Sequence, residues 1–206
     1  MTKCAILGAS GHGKVIADIA ELNGYKVIHF YDDRWPKLTN VEHWAVEGTT
    51  ESLLAYCGQY DAIFIAIGNN SIRLTKQNYL SQYGAVFPVL VHPSATVSRY
   101  SRLGEGCIVM AGSIINPFAV LGKACIVNTS STVDHDCLLA DGVHLSPGSH
   151  LAGGVKVGKC TWIGIGANIK QLVNIGENTI VAAGATVIRD VLNDQVVVGV
   201  PAKPLI

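Results

Sequence analysis

Residues 121–145 read LGKACIVNTSSTVDHDCLLADGVHL, and two interleaved patterns run through them. Leu121, Val127, Val133, Leu139 and Leu145 recur every six residues. Cys125, Ser131, Cys137 and Val143 place a small residue two positions ahead of each following aliphatic. Followed outward, the step of six is unbroken from Val91 to Val187 and always lands on Val, Ile or Leu; the companion slot, from Ala95 to Val191, always holds Ala, Ser, Cys, Thr or Val. Residues two apart on an extended chain share a face, so both point inward from one short strand and the residue between them points out. The remaining three residues of each hexad must make a corner, and Gly104, Gly122, Gly158, Gly164 and Gly176 stand at its first position. Three such sides close one coil, which predicts a parallel β-helix of roughly five to six coils stacked about 4.8 Å apart. Its ends need covering, a role open to the preceding domain at one end and to the tail GVPAKPLI at the other.

Upstream the period is different. CAILGA and AIFIAIG read as buried strands, KVIHFYDD as a strand stopped by Asp32 and Asp33, and GKVIADIAELNG, residues 50–57 and SIRLTKQNYLSQYG as helices. That order predicts a small parallel sheet of Rossmann-like α/β type over residues 1–84, with the β-helix domain and its tail over 85–206.

Composition limits the function classes. The chain of 206 residues is 49% apolar and only 15% charged, which suggests that other subunits cover part of its surface. Fifteen basic and fifteen acidic residues balance, so neither nucleic acid nor an anionic membrane is indicated as a partner. No stretch approaches the roughly 18 apolar residues of a membrane span, and MTKCAILGAS does not read as an export signal. The six cysteines form no CxxC pair and read as reduced thiols of a cytoplasmic protein. Cys107, Cys125 and Cys137 fall in the small inward slot and are expected to be plain core; Cys160 lies at a corner.

The repeat register locates the chemistry-bearing residues. Asp134, His135 and Asp136 share one exposed corner, with His135 stacked between Pro117 and Gly153 in the neighbouring coils. A carboxylate on one ring nitrogen fixes the tautomer of a histidine and raises its basicity, so this corner reads as a general base; the bland alternative is a solvated surface histidine. His144 projects from a flat face above Trp162, either near an active site against a neighbouring subunit or in ordinary interface packing. Small residues from Gly153 to Ala185 would let a thin ligand such as a pantetheine arm approach the backbone, although corners also favour glycine. In the first domain, Gly8-Ala9-Ser10-Gly11-His12-Gly13-Lys14 lies between strand and helix, where free N–H groups face phosphate. Its GxxGxG spacing differs from the dinucleotide fingerprint. Asp32 and Asp33 end the second strand and Gly68-Asn69-Asn70 the third, a set that together points to nucleotide binding.

GASGHGK, the Asp-Asp pair, IAIGNN, NTSSTVDHDC, the coils and GVPAK cover nearly the whole chain, and they resemble the bacterial nucleotide-sugar acetyltransferases of the hexapeptide-repeat family, relatives of the sialic acid O-acetyltransferases. The resemblance implies a left-handed β-helix, against the usual right-handed crossover, a homotrimer with active sites between subunits, acetyl-CoA as donor and a UDP-linked 4-amino sugar as acceptor. It implies His135 as catalytic base with Asp136 supporting it, and Asp134 in contention for that support. Ser10, Gly11, His12, Asp32 and Asp33 match nucleotide-sugar contacts, with Gly68 and Asn69 beside them; His144, Gly153 and Ile165 match acetyl-CoA contacts. The family's GGGAT stretch is Ala182-Ala183-Gly184-Ala185-Thr186 here, so a contact at Ala183 would run through its backbone. O-acetylation of sialic acid and N-acetylation of a GDP-amino sugar are the alternatives within this chemistry. A zinc hydratase would need three histidines at one site, and His135, His144 and His150 share no obvious face, so no metal is expected. A nucleotide-sugar binder without catalysis is the third class.

Overall fold

The computed structural model describes residues 2–205. It divides into two compact units, Met1–Leu90 and Val91–Ile206.

In the first unit, β1 (Lys3–Leu7), α1 (Gly11–Leu22), β2 (Val27–Tyr31), β3 (Asn40–Val41), β4 (Trp44–Gly48), α2 (Thr50–Tyr56), β5 (Ala62–Ile65) and α3 (Asn70–Ser81) follow in sequence. The sheet order is β3-β4-β2-β1-β5, parallel except for the β3–β4 hairpin. That hairpin lies between KVIHFYDD and residues 50–57, where the sequence reading assigns no element. Helix α1 already begins at Gly11, so Gly11 to Lys14 form its first turn rather than a loop. From β1 the chain crosses to β2 on one side and later returns to β5 on the other. The boundary between β1 and β5 is therefore a topological switch point, with the loops after both strands at its carboxyl edge. The two loops are in close contact: at Gly8 (φ +113°) a Cβ would stand 2.8 Å from the Ala66 carbonyl oxygen.

The second unit is a left-handed parallel β-helix of two-residue strands. Three sheets run along it, through Thr132–Val133, Leu138–Leu139 and His144–Leu145 respectively, and each strand pairs in parallel with the strands 18 residues away. The inward aliphatics and small residues form one continuous core, with Val133, Cys137, Val143 and Leu145 fully buried. Cys107, Cys125 and Cys137 lie in that core, and each Sγ–H faces a backbone carbonyl 15 residues on, at 3.0–3.2 Å. Burial pushes the Cys137 thiol up to about 11, which leaves it unreactive. At the C-terminal end, Val196–Val198 continues the His144 sheet, Lys203–Pro204 pairs back antiparallel, and Ala202 packs on the core.

The corners depart from the expectation in one respect. The left-handed conformation falls on the third corner residue, at every step from Gly106 to Gly184, with φ between 53° and 72°. The glycine at the first corner position is required instead by the closeness of the next coil. At Gly158, a Cβ would lie 2.5 Å from both the Gly176 carbonyl carbon and the Glu177 nitrogen; at Gly166 (φ +65°) it would meet nothing within 4 Å. Gly158→Ala should therefore cost about 3 kcal/mol, and Gly166→Ala only about 1 kcal/mol of left-handed strain. Thermal unfolding of the two variants tests this ordering; equal losses would contradict it.

Candidate active site

Asp134, His135 and Asp136 follow Val133 around a corner, and each has a separate structural role. The His135 Nδ1 lies 2.8 Å from Asp136 Oδ2, so Asp136 is the acid on the ring. Asp136 occupies the left-handed corner position (φ +61°), a conformation that Asp tolerates better than most side chains. Asp134 bonds the backbone instead: its Oδ1 accepts the His135 N–H at 2.7 Å and the Asn116 Nδ2 at 2.8 Å. With a donor on Nδ1, the basic lone pair of the ring is on Nε2. The ring is 60% exposed and lies over Gly153, where a Cβ would come within 2.6 Å of both Cε1 and Nε2. A side chain at 153 would displace it. The hydrogen bond to Asp136, then the charge of Asp134, raise the His135 pKa above the usual histidine value. The amide of His135 and the side chain of Asn116 hold Asp134 below the usual carboxylate range. A groove of about 380 Å³ runs beside this corner, lined in part by Asn116, Thr132, Asp134, His150 and Asn168.

The other residues proposed to touch the donor are elsewhere on the coil. Ile165 and Ala183 are both exposed and stack one coil apart on the next corner, linked by the Gly184 amide and the Ile165 carbonyl (2.8 Å). A full side of the prism, at most about 20 Å of chain, separates them from His135. His144 stacks on Trp162 as the register requires (centroids 4.9 Å, 22°), but it is only 6% exposed and its Nε2 lies 3.3 Å from Asn128 Nδ2. It is a buried packing group within this chain rather than part of an open face. His150 projects from the Thr132 sheet with its Nδ1 3.0 Å from Thr132 Oγ1. His135, His144 and His150 thus leave from a corner and two different faces. Among the described residues no group of three His, Cys, Asp or Glu side chains is placed to hold a metal ion.

In the first unit, Ser10 is the N-cap of α1 and its side chain makes no capping bond; Ser10 and Gly11 are exposed. His12 is in the first turn of α1, and burial, reinforced by the Arg73 charge, pushes its pKa down to about 4. Asp32 accepts from the Ala9 amide (2.8 Å) and from the backbone, Nε and Nη2 of Arg34 (2.8–3.0 Å), which fills its acceptor positions. Arg34 is the main reason that its carboxyl is held down to about 2. Asp33 accepts the Thr50 amide at 2.8 Å and faces Lys76 at 3.7 Å. The Asn69 side chain caps α3 by accepting the Ile72 amide at 3.0 Å, next to Gly68. Three participants had not been singled out from the sequence. Asn116 was within reach, since it stands 18 residues before Asp134. Arg34 is two residues from Asp32. Arg73 gave no signal, because an arginine in a helix is ordinarily a surface residue.

Residues 3–80 match the PglD N-terminal domain family. UDP-N-acetylbacillosamine N-acetyltransferase of Bacillus subtilis (strain 168) is 36% identical over 116 residues, 54% of this chain and 52% of that protein, so the chain spans about half the length of this curated relative. The acetyltransferase domain of PglB from Neisseria gonorrhoeae FA1090, solved in complex with acetyl coenzyme A, superposes with a TM-score of 0.95 at 42% identity, covering 98% of each chain. PerB from Caulobacter crescentus, solved with CoA and GDP-perosamine, does so with a TM-score of 0.94 at 38% identity, over 100% of this chain and 98% of that one. Likeness of that extent and identity means that the chain belongs to the PglB and PerB family of sugar N-acetyltransferases.

Proposed function

We propose that this protein transfers the acetyl group of acetyl-CoA to the 4-amino group of a UDP-linked amino-deoxy sugar, with His135 as general base. The observation that carries the reading is the Asp136–His135 pair over Gly153: a histidine with its tautomer fixed, its basicity raised and its Nε2 unobstructed on one side only because residue 153 has no side chain. The sugar amine attacks the thioester carbonyl carbon and passes a proton to Nε2. The tetrahedral oxyanion then collapses, the C–S bond breaks, and the thiolate of CoA takes the proton back from His135, leaving an amide and free CoA. The Gly154 amide is already bonded to the His135 carbonyl (2.9 Å), so the Gly153 amide is the candidate oxyanion donor. No serine or cysteine flanks His135, which favours direct transfer over an acyl-enzyme.

The donor would lie along Gly153, Ile165 and the Ala183 backbone, with His144 supporting from within the fold. Because Ile165 and Ala183 are a corner away from His135, we assign the site to the cleft between subunits of a homotrimer, where one subunit's His135 corner meets its neighbour. Exposed Ile114, Val120 and Leu138 (38–44%) are apolar surface of the kind that such packing would cover. The first unit is assigned the nucleotide end of the acceptor through Ser10, Gly11, His12, Asp33, Gly68 and Asn69, with Asp32 contributing through the Ala9 amide and the Arg34 guanidinium that it holds rather than as a free acceptor. A GDP carrier is the second reading, favoured by the likeness to PerB, which was solved with GDP-perosamine. The free cysteines, five of the six buried, agree with a cytoplasmic setting; no helix among the described residues is long and apolar enough to cross a membrane.

Two measurements test this. His135→Ala should lower turnover with acetyl-CoA and a UDP-4-amino sugar by roughly 100-fold or more while size-exclusion still gives a trimer; near-normal turnover would end the assignment. A base must be unprotonated, so kcat/KM should rise with pH through a midpoint above the unperturbed value of about 6.5. Asp136→Asn removes the bond that raises this pKa, so the midpoint should move down towards 6.5 as kcat falls. An unmoved midpoint would take Asp136 off the ring's proton.

A further inference from the structure

The N-termini of α1 and α3, each a helix of 12 residues, both open onto the carboxyl edge of the β1–β5 switch point. Beneath them lies a guanidinium. Arg73, in α3, is 1% exposed and is the largest of the fully buried side chains. It reaches back to the start of its own helix, where Nη1 donates to the carbonyls of Ile67 (3.0 Å) and Gly68 (3.2 Å) and Nη2 to Asn70 Oδ1 (2.9 Å). The same charge is felt across the switch point by His12 in α1. Taking a cation out of water is costly, and an apolar side chain could fill this volume, so its presence here calls for a reason beyond packing.

Resting on the assignment of the first unit to nucleotide binding, we propose that Arg73, rather than His12, supplies the positive charge that holds the diphosphate of the acceptor. Arg73 is a positioning residue. It is too buried to touch the ligand and acts through its field and through the loop carrying Gly68 and Asn69, which it clamps. The two helix N-termini add partial positive charge in the same direction. His12, with its pKa near 4, stays neutral at working pH and so brings no positive charge to a phosphate. Low local dielectric strengthens an interaction between Arg73 and phosphate, and salt screens it little.

The test uses the full chain, with binding of UDP, GDP, uridine and guanosine measured by calorimetry for the unaltered protein, Arg73→Gln and Arg73→Lys. Arg73→Gln should weaken the preferred nucleoside diphosphate by about 10-fold or more and its nucleoside by no more than about 2-fold. Arg73→Lys keeps the charge without the planar fork, so it should retain most of the preference for diphosphate over nucleoside. Equal weakening of both ligands in Arg73→Gln would reduce Arg73 to a loop clamp and overturn the proposal. If Arg73→Gln does not fold, loss of the diphosphate preference in a folded Arg73→Lys would overturn it equally. Failure of the unaltered protein to bind either nucleotide would instead remove the nucleotide reading of the whole unit.

Discussion

The hydrogen bond from each coil to the next is the constraint on which the solenoid depends. The Thr132 amide donates to Ser149, Asp134 to Leu151 and Ala152 to Ile169, each about one 18-residue turn away. With this ladder in place, a side chain's neighbours above and below are fixed by its number. Asn116 comes to rest on Asp134, His135 on Gly153, and His144 on Trp162. The candidate catalytic geometry is thus a consequence of backbone register, and no long loop has to be ordered to make it.

The same ladder explains why polar atoms are tolerated in the core. Ser131 Oγ donates to the Ser146 carbonyl at 2.9 Å, Ser113 Oγ to Asn128 at 2.8 Å and Thr161 Oγ1 to Gly176 at 2.6 Å, in the direction taken by the cysteine thiols. A hydroxyl in the small slot meets a carbonyl of the adjoining corner and so escapes the penalty for an unsatisfied buried group. Small size admits these residues; the fixed partner makes a polar one acceptable.

Much of this was legible because a period of six is preserved through stacking. The inward slots, the buried cysteines and the His135–Gly153 contact could be read by counting, and so could Asn116–Asp134. What counting did not provide is conformation and burial. It assigned the corner glycines to turning, whereas the left-handed residue is the third and the first is pressed by the coil beyond. It showed that His144 faces outward but not that the ring is covered. In the first unit no repeat relates one element to another. The hairpin Asn40–Gly48, the saturation of Asp32 by Arg34 and the burial of Arg73 arise from contacts between distant segments, which local periodicity does not encode.

His12 and His135 show what the surroundings do with one side chain. His135 is open to water beside two carboxylates, and its pKa rises. Ring protonation is coupled to those acids, so the neutral ring is a strong proton acceptor. His12 is enclosed near a guanidinium, and its pKa falls far below the working range. A proton transferred during reaction has a favourable place at the first ring and none at the second. Environments that drive two titratable groups apart suit them to different roles: the histidine of the coil is the one suited to moving protons, and the histidine of the Rossmann-like unit stays uncharged.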